Sequence, residues 1–298
     1  MRRVVPAIVT LACLLIASSS LWGQEPTVEH RLQQLEEKVS RLLALHGIVS
    51  NGPDVPPELE GNIHTRFGYP GGDGTLLVKD HYVISHRNDL KVPEWVAYHL
   101  SRENLQGNAR RTNDFRPDPE LPAGERSELS DYRNSGFDRG HMAPAAAFKR
   151  SRVAMSATFP LSNMTPQTPN LNRRIWRELE QDVRSLARAH GRIWVFTGIL
   201  FLDANGNPAI PSNHIGNNRV AVPTHFYKAI LCEHPSGTRE MFSFIMPNQR
   251  SRIPGDPRDY IGTIDRIEEL TGLDFFAALP DTEEDRLEGM TATNWPIQ

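Results

Sequence analysis

The sequence predicts an α+β fold, a mostly antiparallel sheet flanked by helices, with an N-terminal helical extension. Short runs of β-branched and aromatic residues recur from about residue 60 onward, and helical periodicity is confined to a few segments. The two kinds of segment do not alternate in the strand–helix–strand rhythm of a parallel sheet. With 298 residues, 39% hydrophobic and 23% charged, the composition is that of an ordinary globular protein.

Residues 1–23 have the features of a secretory signal peptide. Arg2 and Arg3 precede an apolar run over residues 4–17, and small residues follow it. The run is short for a membrane span. We therefore expect a periplasmic or secreted protein with no stable membrane association after cleavage, with an uncleaved anchor as the alternative. Cleavage would leave Cys232 as the remaining cysteine, which excludes an internal disulfide and a cysteine-based zinc site.

Residues 24–50 form a short heptad segment. Its apolar positions alternate spacings of four and three, at Val28, Leu32, Leu35, Val39 and Leu42. The pattern predicts either a homo-oligomer formed through residues 28–45 or an amphipathic helix packed on its own domain. Residues 51–59 are rich in proline and read as a linker to a domain over residues 60–298.

The predicted domain contains several strands and two clear helices. Helical spacing of apolar residues indicates helices over residues 172–189 and 260–271. Strand-like runs are predicted at residues 76–78, 82–85, 95–100, 192–198, 221–231 and 241–246.

The run Asp138-Arg139-Gly140-His141 places an acid, a guanidinium, a glycine and an imidazole side by side. Gly140 permits a tight or left-handed backbone, which can aim a neighbouring side chain into a cleft. Histidine can accept a proton near neutral pH, and arginine can hold a phosphate with two hydrogen bonds. The run therefore predicts a general base beside an anion site, although His141 by itself could equally be a structural histidine.

The helix from residue 172 carries candidates for a metal site. Asn172 and Glu180 fall near one side of this helix. An asparagine carbonyl is a hard ligand suited to Mg²⁺, and Glu180 could hold the waters of that ion. Alternatively, Asn172 caps the helix, and Glu180 is solvated or paired with an arginine. The same helix carries arginines that can meet phosphates, Arg173, Arg174 and Arg177.

Charge is unevenly distributed along a chain whose formal net charge is −3. Residues 138–192 contain ten Lys/Arg against four Asp/Glu, whereas residues 255–290 contain three against eleven. This segregation favours a basic cleft on an acidic body and excludes a uniformly basic nucleic-acid binder. The alternative is that many of these arginines are solvated or paired with interleaved acids.

At these motifs the sequence resembles the DNA/RNA non-specific endonucleases, a ββα-metal family. The resemblance rests on SGFDRGHMAPAAAF, TFPLSNMTPQTPNLNRRIWRELE, VFTG and AVPTHFYKAIL, and covers roughly residues 60–280. It implies a ββα-metal active-site motif, DNA and RNA as substrates, and Mg²⁺ as the cofactor with Mn²⁺ as a substitute.

The resemblance also implies roles for individual residues. His141 would be the general base, Asn172 the direct metal ligand and Glu180 the carboxylate that holds metal-bound water. Arg139 would lie near the scissile phosphate, and Asn163 would line the same site. Asp138 would support the loop. The upstream phosphate-binding arginine would be Arg110 or Arg111.

We therefore predict an exported, Mg²⁺-dependent, sugar-non-specific endonuclease. Two alternatives remain open from the sequence. One is a catalytically silent nucleic-acid-binding or scaffold protein assembled through the heptad segment. The other is a phosphodiesterase that acts on small substrates.

Overall fold

The computed structural model describes residues 55–293 and residue 295. The predicted signal peptide and heptad segment lie outside these residues, as do residues 51–54 of the predicted linker. Within the linker, Pro57–Leu59 forms a 3-10 turn that buries Leu59. No helix of the described residues is long and apolar enough to span a membrane.

Seven strands form one antiparallel sheet in the order β1-β2-β3-β6-β9-β10-β11, which confirms the predicted fold class. Two further pairs, β4–β5 and β7–β8, lie outside this sheet. The strands are β1 Thr75–Val78, β2 Val83–Arg87, β3 Val92–Ser101, β4 Asp138–His141, β5 Met164–Gln167, β6 Arg192–Leu200, β7 His214–Ile215, β8 Val220–Ala221, β9 His225–Glu233, β10 Arg239–Pro247 and β11 Ile261–Gly262.

The α-helices of the described residues are α1 Leu129–Tyr132, α2 Arg152–Ala157, α3 Trp176–His190, α4 Ile264–Thr271 and α5 Asp281–Glu288. The apolar stripe of α3 includes Leu179, Val183 and Leu186, all buried, as the sequence predicts. Helix α4 begins at the Thr263 cap, whose side chain accepts a hydrogen bond from the backbone of Arg266, and ends at a left-handed Gly272.

Both faces of the sheet are covered, because successive side chains of a strand point to opposite faces. On β6, for example, Val195 belongs to one core and Phe196 to the other. The front core contains Trp176 and the apolar stripe of α3. The back core contains residues of α4 and α5. The two helical layers therefore lie on opposite sides of the sheet.

Two predicted elements differ in their bounds. The strand predicted at residues 221–231 is divided into β8 and β9. Pro223 lies between them and has no backbone N–H to donate to a ladder. The helix predicted at residues 260–271 begins only at Ile264, since Tyr260 ends a 3-10 turn and β11 follows it.

Candidate active site

The strand pair β4–β5 carries the Asp138–His141 run, with Gly140 opposite Thr165. Gly140 is in extended backbone and is absent from the left-handed region, so the predicted positive-φ role is wrong. A Cβ at this position would lie 2.1 Å from Oε1 of Gln167, a fully buried side chain. Glycine is therefore needed here because Gln167 packs directly over the strand.

The His141 imidazole lies in an aromatic surrounding and is only 7% exposed. The ring centroid is 5.7 Å from that of Phe115 and 4.9 Å from that of Phe159. Burial lowers the pKa of His141 to about 3, and the charges of Arg111 and Arg139 act in the same direction. The ring is therefore neutral at physiological pH. Its Nε2 has no hydrogen-bond partner among the described residues and is free to accept a proton.

Two arginines flank this histidine. The Arg139 guanidinium lies 4.0 Å from the centroid of Phe115, and that of Arg111 lies 5.0 Å from the centroid of Phe159. Cation–π contacts of this kind hold a guanidinium in place and leave its N–H groups available. Of the two upstream candidates, the structure brings Arg111 to the site. Arg110 is exposed and makes no hydrogen bond with a described site residue.

Asn172 lies in the segment Leu171–Ile175, which is kinked at Arg174 and leads directly into α3. The side-chain Nδ2 of Asn172 donates a 2.9 Å hydrogen bond to Oδ2 of Asp138, and Oδ1 accepts none from the described residues. Asp138 thus holds the amide group in place through Nδ2. The carbonyl oxygen Oδ1, which is suited to a hard cation, remains available.

Asp138 also binds Arg173 through two hydrogen bonds of 2.8 and 2.6 Å. Burial alone would raise the pKa of Asp138, but the bonds from Arg173 and Asn172 lower it below its usual value. Asp138 is therefore an ionised carboxylate that joins the strand pair to the helix. Arg173, predicted to contact phosphate, is engaged in this ion pair.

Glu180 lies two turns along the helix, half buried among positive charges. Burial raises the pKa of its carboxyl, and the charges of Lys228, Arg184 and Arg111 oppose this shift. The charge of Arg111 therefore acts on the pKa of both Glu180 and His141.

Sequence reasoning missed Lys228, which is fully buried in the front face of β9. Its Nζ donates hydrogen bonds to Thr197 Oγ1 at 2.6 Å and Tyr98 Oη at 3.2 Å, and lies 4.7 Å from the centroid of Trp176. Burial lowers the pKa of Lys228 to about 8, while Glu180 acts in the opposite direction. A lysine inside the apolar run of residues 226–232 was the available signal.

Asn163 is fully buried, and all parts of its amide are used by the backbone. Its Oδ1 accepts a hydrogen bond of 2.9 Å from the backbone N–H of Ala143. Its Nδ2 donates hydrogen bonds to the backbone carbonyl oxygens of Ala143 at 3.0 Å and Thr158 at 2.9 Å. These bonds fix the segment that follows His141. The geometry thus gives Asn163 a structural place behind the site instead of a free polar group lining it.

Arg174 and Arg177 are exposed at the start of the helical region. Neither forms an ion pair within the described part of the chain, in contrast to Arg173. Their guanidinium groups are therefore available to a polyanion.

Comparison with known proteins identifies relatives over most of the chain. A family model described as DNA/RNA non-specific endonuclease matches residues 60–282. Mitochondrial endonuclease G of Homo sapiens is 39% identical over 214 residues, covering 70% of this chain and 72% of the human protein. Nuclease C1 of Cunninghamella echinulata var. echinulata is 39% identical over 221 residues, covering 72% of this chain and 87% of that protein.

The fold is also similar to a solved structure, the crystal structure of an EndoG/EndoGI complex that reports the mechanism of EndoG inhibition. The TM-score is 0.70 at 33% sequence identity, and the match covers 78% of this chain and 96% of that one.

The comparisons correct one prediction. Several relatives are mitochondrial by name, including endonuclease G of Homo sapiens, Bos taurus and Caenorhabditis elegans. These mitochondrial relatives contradict the periplasmic or secreted location predicted from the leader, and that prediction is therefore wrong.

Proposed function

Because this chain belongs to the DNA/RNA non-specific endonuclease family, we propose that it hydrolyses phosphodiester bonds in both DNA and RNA with the help of Mg²⁺. The observation that carries the proposal is His141, a neutral and buried imidazole with an unpartnered Nε2 between two guanidinium groups. A general base beside an anion-binding surface is the minimum that water attack on a phosphodiester needs.

In this proposal His141 is the general base. Nε2 accepts a proton from a water molecule as that water attacks phosphorus. The bond between phosphorus and the leaving 3′ oxygen breaks, solvent protonates that oxygen, and the resulting imidazolium remains close to the negatively charged phosphate. Phe115 and Phe159 hold the ring plane. Asn163 keeps the following backbone in place, so that the ring does not shift as its charge changes.

The residues present fit a hard divalent cation. Oδ1 of Asn172 is available as a metal ligand, because Nδ2 of the same side chain is hydrogen-bonded to Asp138. The nearby Glu180 can orient water molecules bound to the ion. Asn172 would hold the ion directly, with Mn²⁺ as a substitute for Mg²⁺. When bound, the ion would neutralise negative charge that develops on the leaving oxygen.

Four arginines supply substrate binding in the proposal. Arg139 and Arg111 contact the scissile phosphate, and Arg174 and Arg177 contact neighbouring phosphates. Contacts of this kind are made to the phosphate backbone of the nucleic acid and not to its bases. They favour cleavage that has little sequence preference and that is strongly sensitive to salt concentration. The same backbone contacts can be made to DNA and RNA.

A substrate and metal panel tests the proposal. We expect the pure protein to cut double-stranded DNA, single-stranded DNA and RNA with Mg²⁺, and to cut none of them with EDTA. Binding without cleavage under every condition would instead favour a catalytically silent nucleic-acid-binding protein. Equal turnover of bis-(p-nitrophenyl) phosphate and DNA would favour a phosphodiesterase for small substrates.

A further inference from the structure

Three carboxylates meet on the back face of the sheet, opposite the helix that carries Asn172. Asp265 and Glu268 stand one turn apart on α4, and Glu288 is the last residue of α5. One oxygen from each lies within 4.8 Å of the others. The two helices pack in the back core, so the fold itself holds these carboxylates together.

No positive side chain of the described residues pairs with these three groups. The nearby arginines are directed elsewhere, since Arg266 binds Glu269 and Arg239 binds Glu283. Within the described part of the chain, the three carboxyl groups therefore lie side by side with no basic side chain between them.

Glu288 provides an independent indication of a missing partner. The residue is only 6% exposed, and its Oε1 makes no hydrogen bond within the described part of the chain. Buried carboxylates ordinarily pair with a cation or bind a metal. A carboxylate at this position with neither a cation nor a metal beside it would reduce the stability of the fold.

We propose that Asp265, Glu268 and Glu288 bind one Ca²⁺ ion that stabilises the packing of α4 on α5. Ca²⁺ takes oxygen ligands at about 2.3–2.6 Å, so two oxygens on one ion can be as far as about 5 Å apart. The cluster meets this limit. Its donor set is purely carboxylate, which favours a hard cation over zinc or copper. This site is separate from the proposed nuclease centre and serves stability.

Thermal unfolding of the full chain tests the proposal, with Asn172→Ala as the background so that the nuclease metal site is removed. In this background we expect a hundredfold excess of Ca²⁺ over its Kd to raise Tm by about 5–10 °C. Glu288→Gln should abolish the rise. Asp285→Asn removes the same charge from an exposed position of α5 and should keep it.

Asp265→Asn repeats the test at an exposed ligand, in case Glu288→Gln does not fold. The proposal is overturned if Ca²⁺ does not raise Tm in the Asn172→Ala background. It is also overturned if the rise is the same after Glu288→Gln or Asp265→Asn as after Asp285→Asn.

Discussion

The Asn172 side chain donates a 2.9 Å hydrogen bond from Nδ2 to Oδ2 of Asp138. This bond links the strand pair that carries His141 to the helix that carries Glu180. It also decides which atom of the amide remains available, because Nδ2 is occupied and Oδ1 is not. Asp138 thus orients a proposed metal ligand, a more specific role than the loop support predicted from the sequence.

The first prediction concerns this bond. Asp138→Ala should raise the Mg²⁺ concentration needed for half-maximal nuclease activity about 10–100-fold, as loss of a partner that orients a ligand commonly does. Activity at saturating Mg²⁺ should fall less. Arg173→Gln breaks the ion pair but keeps the bond to Asn172, and should change the metal requirement little. Equal shifts in the two variants would contradict an orienting role for Asp138.

The second prediction concerns Gly140. Gly140→Ala should reduce the free energy of unfolding by about 1–3 kcal/mol, since its Cβ would overlap the buried side chain of Gln167. Urea denaturation measures the loss. Gly262→Ala is the matched control, because a Cβ there would lie 3.4 Å from Ser243 Oγ, an ordinary contact. A loss no larger at Gly140 than at Gly262 would show that the close packing is wrong.

The third prediction concerns Lys228, which is buried close to Glu180. Lys228→Met should destabilise the fold by about 3 kcal/mol, because it removes two buried hydrogen bonds and one of the positive charges that act on Glu180. Adding Glu180→Gln should recover part of this loss. Urea denaturation of both single variants and the double variant gives the coupling energy. Strictly additive effects would argue against an electrostatic link between the two residues.

The fourth prediction concerns pH. Burial lowers the pKa of His64 to about 4 and that of His99 to about 4, helped at His99 by Arg192 and Arg66. Unfolded histidines titrate near 6.5, so the unfolded chain binds more protons between about pH 6.5 and 4. Stability should therefore fall as the pH is lowered through this window.

Urea denaturation at pH 7, 6 and 5 measures that fall. His99→Gln removes one of the histidines whose pKa is lowered by folding, and should make the loss of stability between pH 7 and 5 smaller than in the wild type. If the free energy of unfolding falls by the same amount between pH 7 and 5 in the wild type and in His99→Gln, His99 does not contribute to the pH dependence of stability.

The local elements of the fold were easier to predict from the sequence than the contacts between distant residues. The antiparallel sheet and the face of α3 follow from local periodicity, which a sequence displays directly. The bond between Asp138 and Asn172 joins positions 34 residues apart, and no local pattern encodes it. The packing of Gln167 on Gly140 and the closure of Asn163 on backbone groups likewise arise from tertiary structure alone.

Lys228 was missed for a different reason. Both faces of β9 are buried, so its strand lacks the polar–apolar alternation that would mark an inward-facing charge. The partners that compensate it come from neighbouring strands and from α3.

The most direct test of the account is the rate at which His141→Ala nicks supercoiled plasmid in Mg²⁺. We predict a loss of at least about 10²-fold relative to the wild type, with an unchanged circular dichroism spectrum. His214→Ala, which removes a histidine from the separate pair β7–β8, should keep the wild-type rate. A His141→Ala protein that is folded and nicks plasmid within twofold of the wild-type rate would contradict the central claim.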